Sequence, residues 1–154
     1  MTTNTPMGKA LVIDDIDIVR TRLEQLLGSD YLTRSFRSPE DALVSLRDLN
    51  VTEVELVVSD LYHSGEGGSC RTLEEEPGEV LRRIKRLGKL RRALPNARWL
   101  IFSLFPNLER DGRFKEDTAV RIREALRESC GVEGIAIVPK FDFYQLLLTA
   151  RSAR

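Results

Sequence analysis

Two successive aspartates, Asp14 and Asp15, close the apolar run Leu11-Val12-Ile13, and a third, Asp60, closes Leu56-Val57-Val58-Ser59. Two further runs end in the same manner: Trp99-Leu100-Ile101-Phe102 reaches Ser103, and Ile135-Ala136-Ile137-Val138 leads through Pro139 to Lys140. Carboxylates, a hydroxyl and an ammonium together are what phosphoryl transfer asks of a protein. That chemistry needs little beyond a positioned nucleophile and groups that neutralise charge on the transferring phosphoryl. Asp60 can act as the carboxylate nucleophile, Asp14 with Asp15 as ligands of a cation, Lys140 as the ammonium and Ser103 as the hydroxyl donor. Three ionised carboxylates brought within a few ångströms repel one another, and a hard divalent cation relieves the repulsion. Mg²⁺ fits such a set, because it takes a few carboxylates and completes its shell with water and phosphate oxygens.

These residues must be positioned by strands whose ends lie together, and the sequence supplies them. Apolar runs alternate with segments of helical period, the signature of βαβ units and a parallel sheet. Strands are expected at about 9–14, 31–36, 55–59, 98–102 and 134–138. The first helix carries Val19, Leu23, Leu26 and Leu27 on one side, with Gly28 as its stop. Ser38 is placed to cap a second helix that has Pro39 at its first position, Asp41 three residues after the cap, and Leu43, Leu46 and Leu49 as its apolar positions. A third helix, from near Pro77, carries Val80, Ile84, Leu87 and Leu94, and a fourth, from about Glu116, carries Ala119, Ile122 and Leu126. A short fifth runs from Phe141 to Ala150. The expected fold is α/β: a doubly wound, flavodoxin-like (βα)5 unit with a five-stranded parallel sheet in the order 2-1-3-4-5. In that order strands one and three are neighbours, and their C-terminal ends flank the switch point where such sheets bind ligands.

The chain has 154 residues, enough for one domain with a real core. Residues 1–8 read as a flexible leader and 9–154 as a single domain. Loops at 61–76 and 104–115 are longer than strand-to-helix connections usually are. Lys and Arg total 24 and so do Asp and Glu, so bulk charge attracts neither nucleic acid nor membrane. A local basic cluster, Arg82, Arg83, Lys85, Arg86, Lys89, Arg91 and Arg92, reads first as a solvated helix face and second as a dock for an acidic partner. Two cysteines, Cys70 and Cys130, make no disulfide framework, and no apolar leader precedes the first strand, so a cytoplasmic location is expected. His63 and Cys70 have no zinc spacing.

With these four strand ends in order, the chain resembles the receiver domain of two-component response regulators over nearly its whole length. The resemblance implies that Asp60 is the phospho-acceptor. Asp14, Asp15, Asp60 and the backbone carbonyl of Tyr62 would ligate Mg²⁺, Ser103 would bind a phosphoryl oxygen, and Lys140 would pair with the phosphate. It further implies a histidine kinase or phosphotransfer protein as phosphoryl source. Only 14 residues follow Lys140, so output is expected through protein contact with a downstream partner, including self-association, and the chain is expected to be a regulator and not an enzyme.

The chain departs from the family pattern in three ways. Ile137 stands where receivers carry an aromatic switch residue. Leu104 is large where a small residue usually follows the Ser, and Pro139 precedes the lysine while Phe141 follows it. These substitutions leave open a receiver-like scaffold that works without phosphorylation. A third reading comes from Asp15-Ile16-Asp17-Ile18-Val19, which resembles the first motif of haloacid-dehalogenase-type phosphatases, with Asp15 as nucleophile and Asp17 as acid/base. It leaves Asp60 without a task and lacks the further acidic pair those hydrolases need. Asp14 or Asp15 could instead simply cap the first helix.

Overall fold

The structure, a computed structural model, describes residues 8–60, 87–103, 120, 124, 127, 128, 135–139 and 142–152, with the backbone alone at 103 and 139. The elements are β1 (Lys9–Ile13), α1 (Asp17–Leu27), β2 (Leu32–Phe36), α2 (Pro39–Ser45), β3 (Val54–Ser59), β4 (Arg98–Ser103), β5 (Ala136–Pro139) and a C-terminal helix (Phe143–Ser152). Residues 87–93 are also helical, as are 120, 124, 127 and 128. The strands form one five-stranded sheet in the order β2-β1-β3-β4-β5, and every pairing is parallel. This is the expected doubly wound arrangement.

The sheet is covered on both faces, which is why β1, β3, β4 and β5 read as largely apolar runs, while the edge strand β2, Leu-Thr-Arg-Ser-Phe, is more polar and only partly buried. Alternation sends Leu11, Ile13, Val57, Trp99, Ile101 and Ile137 to one face, where they pack against Ala42 of α2 and Leu87 and Leu90 of the 87–93 helix. Ala10, Val12, Leu56, Val58, Leu100, Phe102 and Val138 face the other way, onto Val19, Leu23 and Leu27 of α1 and Leu146 and Ala150 of the C-terminal helix.

Local signals explain most of the boundaries. The Ser38 side chain accepts a hydrogen bond from the Asp41 N–H at 3.2 Å, and Pro39 sits in the first turn, as expected. The helix is shorter than its leucine period: from Leu46 to Asp48 the chain tightens into a 3-10 turn, and Val51–Glu53 forms a second. Gly28 ends α1 without a left-handed residue. It keeps right-handed dihedrals while its N–H reaches the Glu24 carbonyl, and the Leu27 carbonyl takes the N–H groups of Asp30 and Tyr31. The C-terminal helix starts at Phe143, not Phe141, because Asp142 caps it: its carboxylate accepts from the Gln145 N–H at 3.1 Å.

One irregularity positions the site. Lys9 pairs with Val54, but Ala10 pairs with Leu56, so the β1–β3 register slips by one residue at Glu55. Without the slip Ile13 would lie beside Val58. With it Ile13 lies beside Ser59, and the next residues on the two strands, Asp14 and Asp60, come level.

Candidate functional site

At the C-terminal ends of β1 and β3, one carboxylate oxygen from each of Asp14, Asp15 and Asp60 lies within 4.8 Å of the others. Asp14 and Asp60 are 1% and 2% exposed, whereas Asp15 is only partly covered. The cluster is therefore an acidic pocket with one side toward solvent.

Backbone bonds hold the two buried acids in place. The Asp60 N–H donates to the Ile13 carbonyl at 2.8 Å and the Asp14 N–H to the Phe36 carbonyl at 3.0 Å, each extending a strand ladder by one rung. Side chains add to this. The Ser59 hydroxyl, buried in β3, donates to the Asp60 carbonyl at 2.9 Å. Asp14 Oδ1 accepts from the Ile16 N–H at 2.9 Å, and Arg20 Nη1 donates to the Asp14 carbonyl at 2.7 Å. The N-cap position of α1 is Ile16, with no side-chain cap bond. The acid pair thus serves the pocket and the turn before the helix, not the N-cap position. Asp17, the first residue of α1, is exposed and ion-paired with Arg20 Nη2, and it lies outside the converging set.

The donor set suits a hard cation: all the side-chain ligand atoms are carboxylate oxygens, they converge, and solvent can complete the shell through the Asp15 side. Ser103 ends β4, its backbone paired with Pro139 of β5, which places both strand ends on the same edge as the acids. Lys140, Tyr62, Leu104 and Phe141 lie outside the described residues, as do His63, Cys70, Cys130 and the loops at 61–76 and 104–115. So do Arg82, Arg83, Lys85 and Arg86 of the basic cluster. Of its remainder, Lys89 and Arg92 are exposed, while Arg91 Nη1 donates to the Leu94 carbonyl at 2.9 Å and so closes the end of its own helix.

Ile137 is a core residue, 8% exposed and packed in the cluster with Trp99 and Ile101. On the opposite face Phe102, next to Ser103, meets the Phe143 ring with centroids 5.4 Å apart, and the Arg22 guanidinium lies 5.9 Å from the Phe143 centroid. Sequence reasoning passed over Ser59 and Arg20. The first was a lone hydroxyl inside an apolar run. The second sits on the helix behind the acid pair, one turn after Asp17, where i,i+3 spacing makes a pair with that acid readable.

No family model matches the sequence, and no curated protein does. Solved structures do match. The response regulator protein TrrA from Thermotoga maritima, in complex with Mg²⁺-BeF, superposes with a TM-score of 0.58 at 18% identity, covering 96% of this chain and 100% of that one. The signal receiver domain of an HD domain-containing protein from Pseudomonas fluorescens Pf-5 gives 0.60 at 18% identity, covering 96% and 94%. A CheY-like response regulator receiver domain from Methylobacillus flagellatus gives 0.55 at 18%, covering 96% and 99%. No helix among the described residues is long and apolar enough to cross a membrane. At this identity the likeness is one of architecture, and the architecture is plain: the chain has the fold of the response regulator receiver domains.

Proposed function

We propose that the protein is a phospho-acceptor signalling switch, phosphorylated on Asp60 in the presence of Mg²⁺ and acting through contact with other proteins. The observation that carries this reading is the convergence of the Asp14, Asp15 and Asp60 oxygens within 4.8 Å of one another at the switch point of a 2-1-3-4-5 sheet. One Asp60 oxygen forms a bond to phosphorus while the bond from phosphorus to the donor breaks, and the electron pair leaves on the donor, which is acetate when acetyl phosphate is used. The product is an acyl phosphate, and water returns it slowly to carboxylate and inorganic phosphate. Asp14, Asp15, Asp60 and the Tyr62 carbonyl would hold Mg²⁺, which supplies charge neutralisation on the phosphoryl oxygens. Ser103 donates to one of those oxygens and Lys140 pairs with another. A histidine kinase or phosphotransfer protein is the physiological donor, and a downstream protein reads the result.

The same geometry weighs against a dehalogenase-type phosphatase, since Asp17 is exposed and paired with Arg20, away from the cluster. A scaffold that needs no phosphate keeps one specific support: the aliphatic, buried Ile137, which has no ring to swing inward. Intact-mass measurement after incubation with Mg²⁺ and acetyl phosphate decides between them. A gain of one phosphoryl mass that is lost in Asp60→Asn is expected. No gain, together with no binding of Mg²⁺ and beryllofluoride, would establish the scaffold, and steady turnover that survives Asp60→Asn but not Asp15→Asn would establish the hydrolase.

A further inference from the structure

Arg20 stands behind the acid pair, and its guanidinium bonds to the Asp14 peptide carbonyl and to the Asp17 carboxylate. Its side chain is 14% exposed, unusually covered for a surface-helix cation. Nη1 lies 2.7 Å from the Asp14 carbonyl oxygen, and Nη2 is ion-paired with the Asp17 carboxylate. The guanidinium fork can satisfy two acceptors at a fixed angle, which an ammonium cannot.

The bond falls on an informative atom. The carbonyl of Asp14 and the N–H of Asp15 belong to one planar peptide, so fixing the direction of that carbonyl fixes the plane from which Asp15 departs. Asp14 and Asp60 are oriented by ladder bonds to Phe36 and Ile13, and Asp15 follows in a bend beyond the last residue of β1. We propose that Arg20 is a positioning residue for cation binding: acting through the Asp14 carbonyl, it presents Asp15 to the site that Asp14 and Asp60 already define. This rests on reading the cluster as a Mg²⁺ site.

Plain electrostatics predicts the opposite sign. Removing a cation near three carboxylates, and leaving Asp17 without its neutralising partner, should strengthen divalent binding. A positioning role predicts that binding weakens, since loss of a group that orients a ligand typically costs roughly tenfold to a hundredfold in metal affinity.

The test is calorimetric titration of Mg²⁺ into the full chain and its Arg20→Met, Arg20→Lys and Arg20→Met/Asp17→Asn variants, with thermal unfolding in chelator to establish that each is folded. Arg20→Met is expected to bind about tenfold or more weakly, the double variant as weakly, and Arg20→Lys between Arg20→Met and the parent chain. Amide exchange at Asp15 and Ile16 is expected to quicken in Arg20→Met. If Arg20→Met does not fold, the weakened binding of Arg20→Lys decides. Mg²⁺ affinity equal to or above that of the parent chain in the folded variants overturns the proposal and leaves the Mg²⁺ site standing. No Mg²⁺ binding by the parent chain removes both.

Discussion

Five of the aspartates fall into four different settings, and their surroundings decide which. Asp60 and Asp14 are buried at strand ends, with their backbones in the sheet ladder. Asp15 is the half-open member of the same cluster, Asp17 is an exposed ion-pair partner, and Asp142 is a helix cap. A simpler carboxylate shows the electrostatics on its own. Glu53 Oε2 lies 2.8 Å from Lys9 Nζ, and the hydrogen bond and charge of Lys9 hold its carboxyl below the ordinary glutamate range. A depressed folded-state pKa gives stability that is present above the unfolded value and lost as pH falls through the folded one. Glu53 is solvent-exposed and Lys9 only half-buried, so the effect on stability is expected to be small. An NMR titration of the Glu53 side chain should show a midpoint below that of a free glutamate, returning upward in Lys9→Met; an unmoved midpoint would mean the pair does not persist in solution.

Among the elements, caps and a register slip do what hydrophobic period cannot. Asp142 begins the C-terminal helix two residues later than its apolar pattern suggests, because its carboxylate takes the Gln145 N–H and its carbonyl the Leu146 N–H. Asp142→Ala should therefore cost about 1 kcal/mol of unfolding free energy in urea, and Asp142→Asn much less, since an amide oxygen can still cap. The one-residue slip opposite Glu55 matters more. A shift of one residue turns a strand's side chains to the other face, so the buried pattern Leu56, Val57, Val58 and the level placement of Asp14 and Asp60 depend on that same irregularity.

Over the whole molecule, the acidic pocket occupies one edge of the sheet, and a polar clasp sits at the other. Arg98 at the start of β4 donates from Nη2 to the Tyr31 hydroxyl and to the Ala150 carbonyl, each at 3.0 Å, and Arg151 pairs with Asp30 at 2.9 Å. The turn after α1, the sheet and the end of the C-terminal helix are thereby joined across long sequence separations. Tyr31 is only 2% exposed, so its hydroxyl needs a partner. Tyr31→Phe and Arg98→Met should each destabilise, and a double-mutant cycle should return a coupling of roughly 0.5–3 kcal/mol. Additive effects would show that the bond contributes nothing beyond packing. Because the clasp lies away from the acids, the single variants are expected to leave the proposed Mg²⁺ binding at the pocket unchanged.

The parallel sheet was legible in the residue pattern, and the order 2-1-3-4-5 expected for it is the one the strands adopt. Four apolar runs and one more polar strand, separated by helical periods, admit few un-knotted solutions, and the strands buried on both faces announce themselves by being largely apolar. The residue pattern also marked Asp14, Asp15 and Asp60, because a charge ending a buried run stands out. That Asp14 and Asp60 lie level comes from folding alone, since pairing register between β1 and β3 depends on where a strand yields a residue, and Glu55 gives no local sign of it. The tertiary structure likewise decided that Asp17 belongs to Arg20 and not to the pocket, and that Ser59 and Arg20 hold the carbonyls of the two buried acids. A hydrogen bond to a backbone carbonyl leaves no trace in residue type. The path of the chain determines which atoms come within reach.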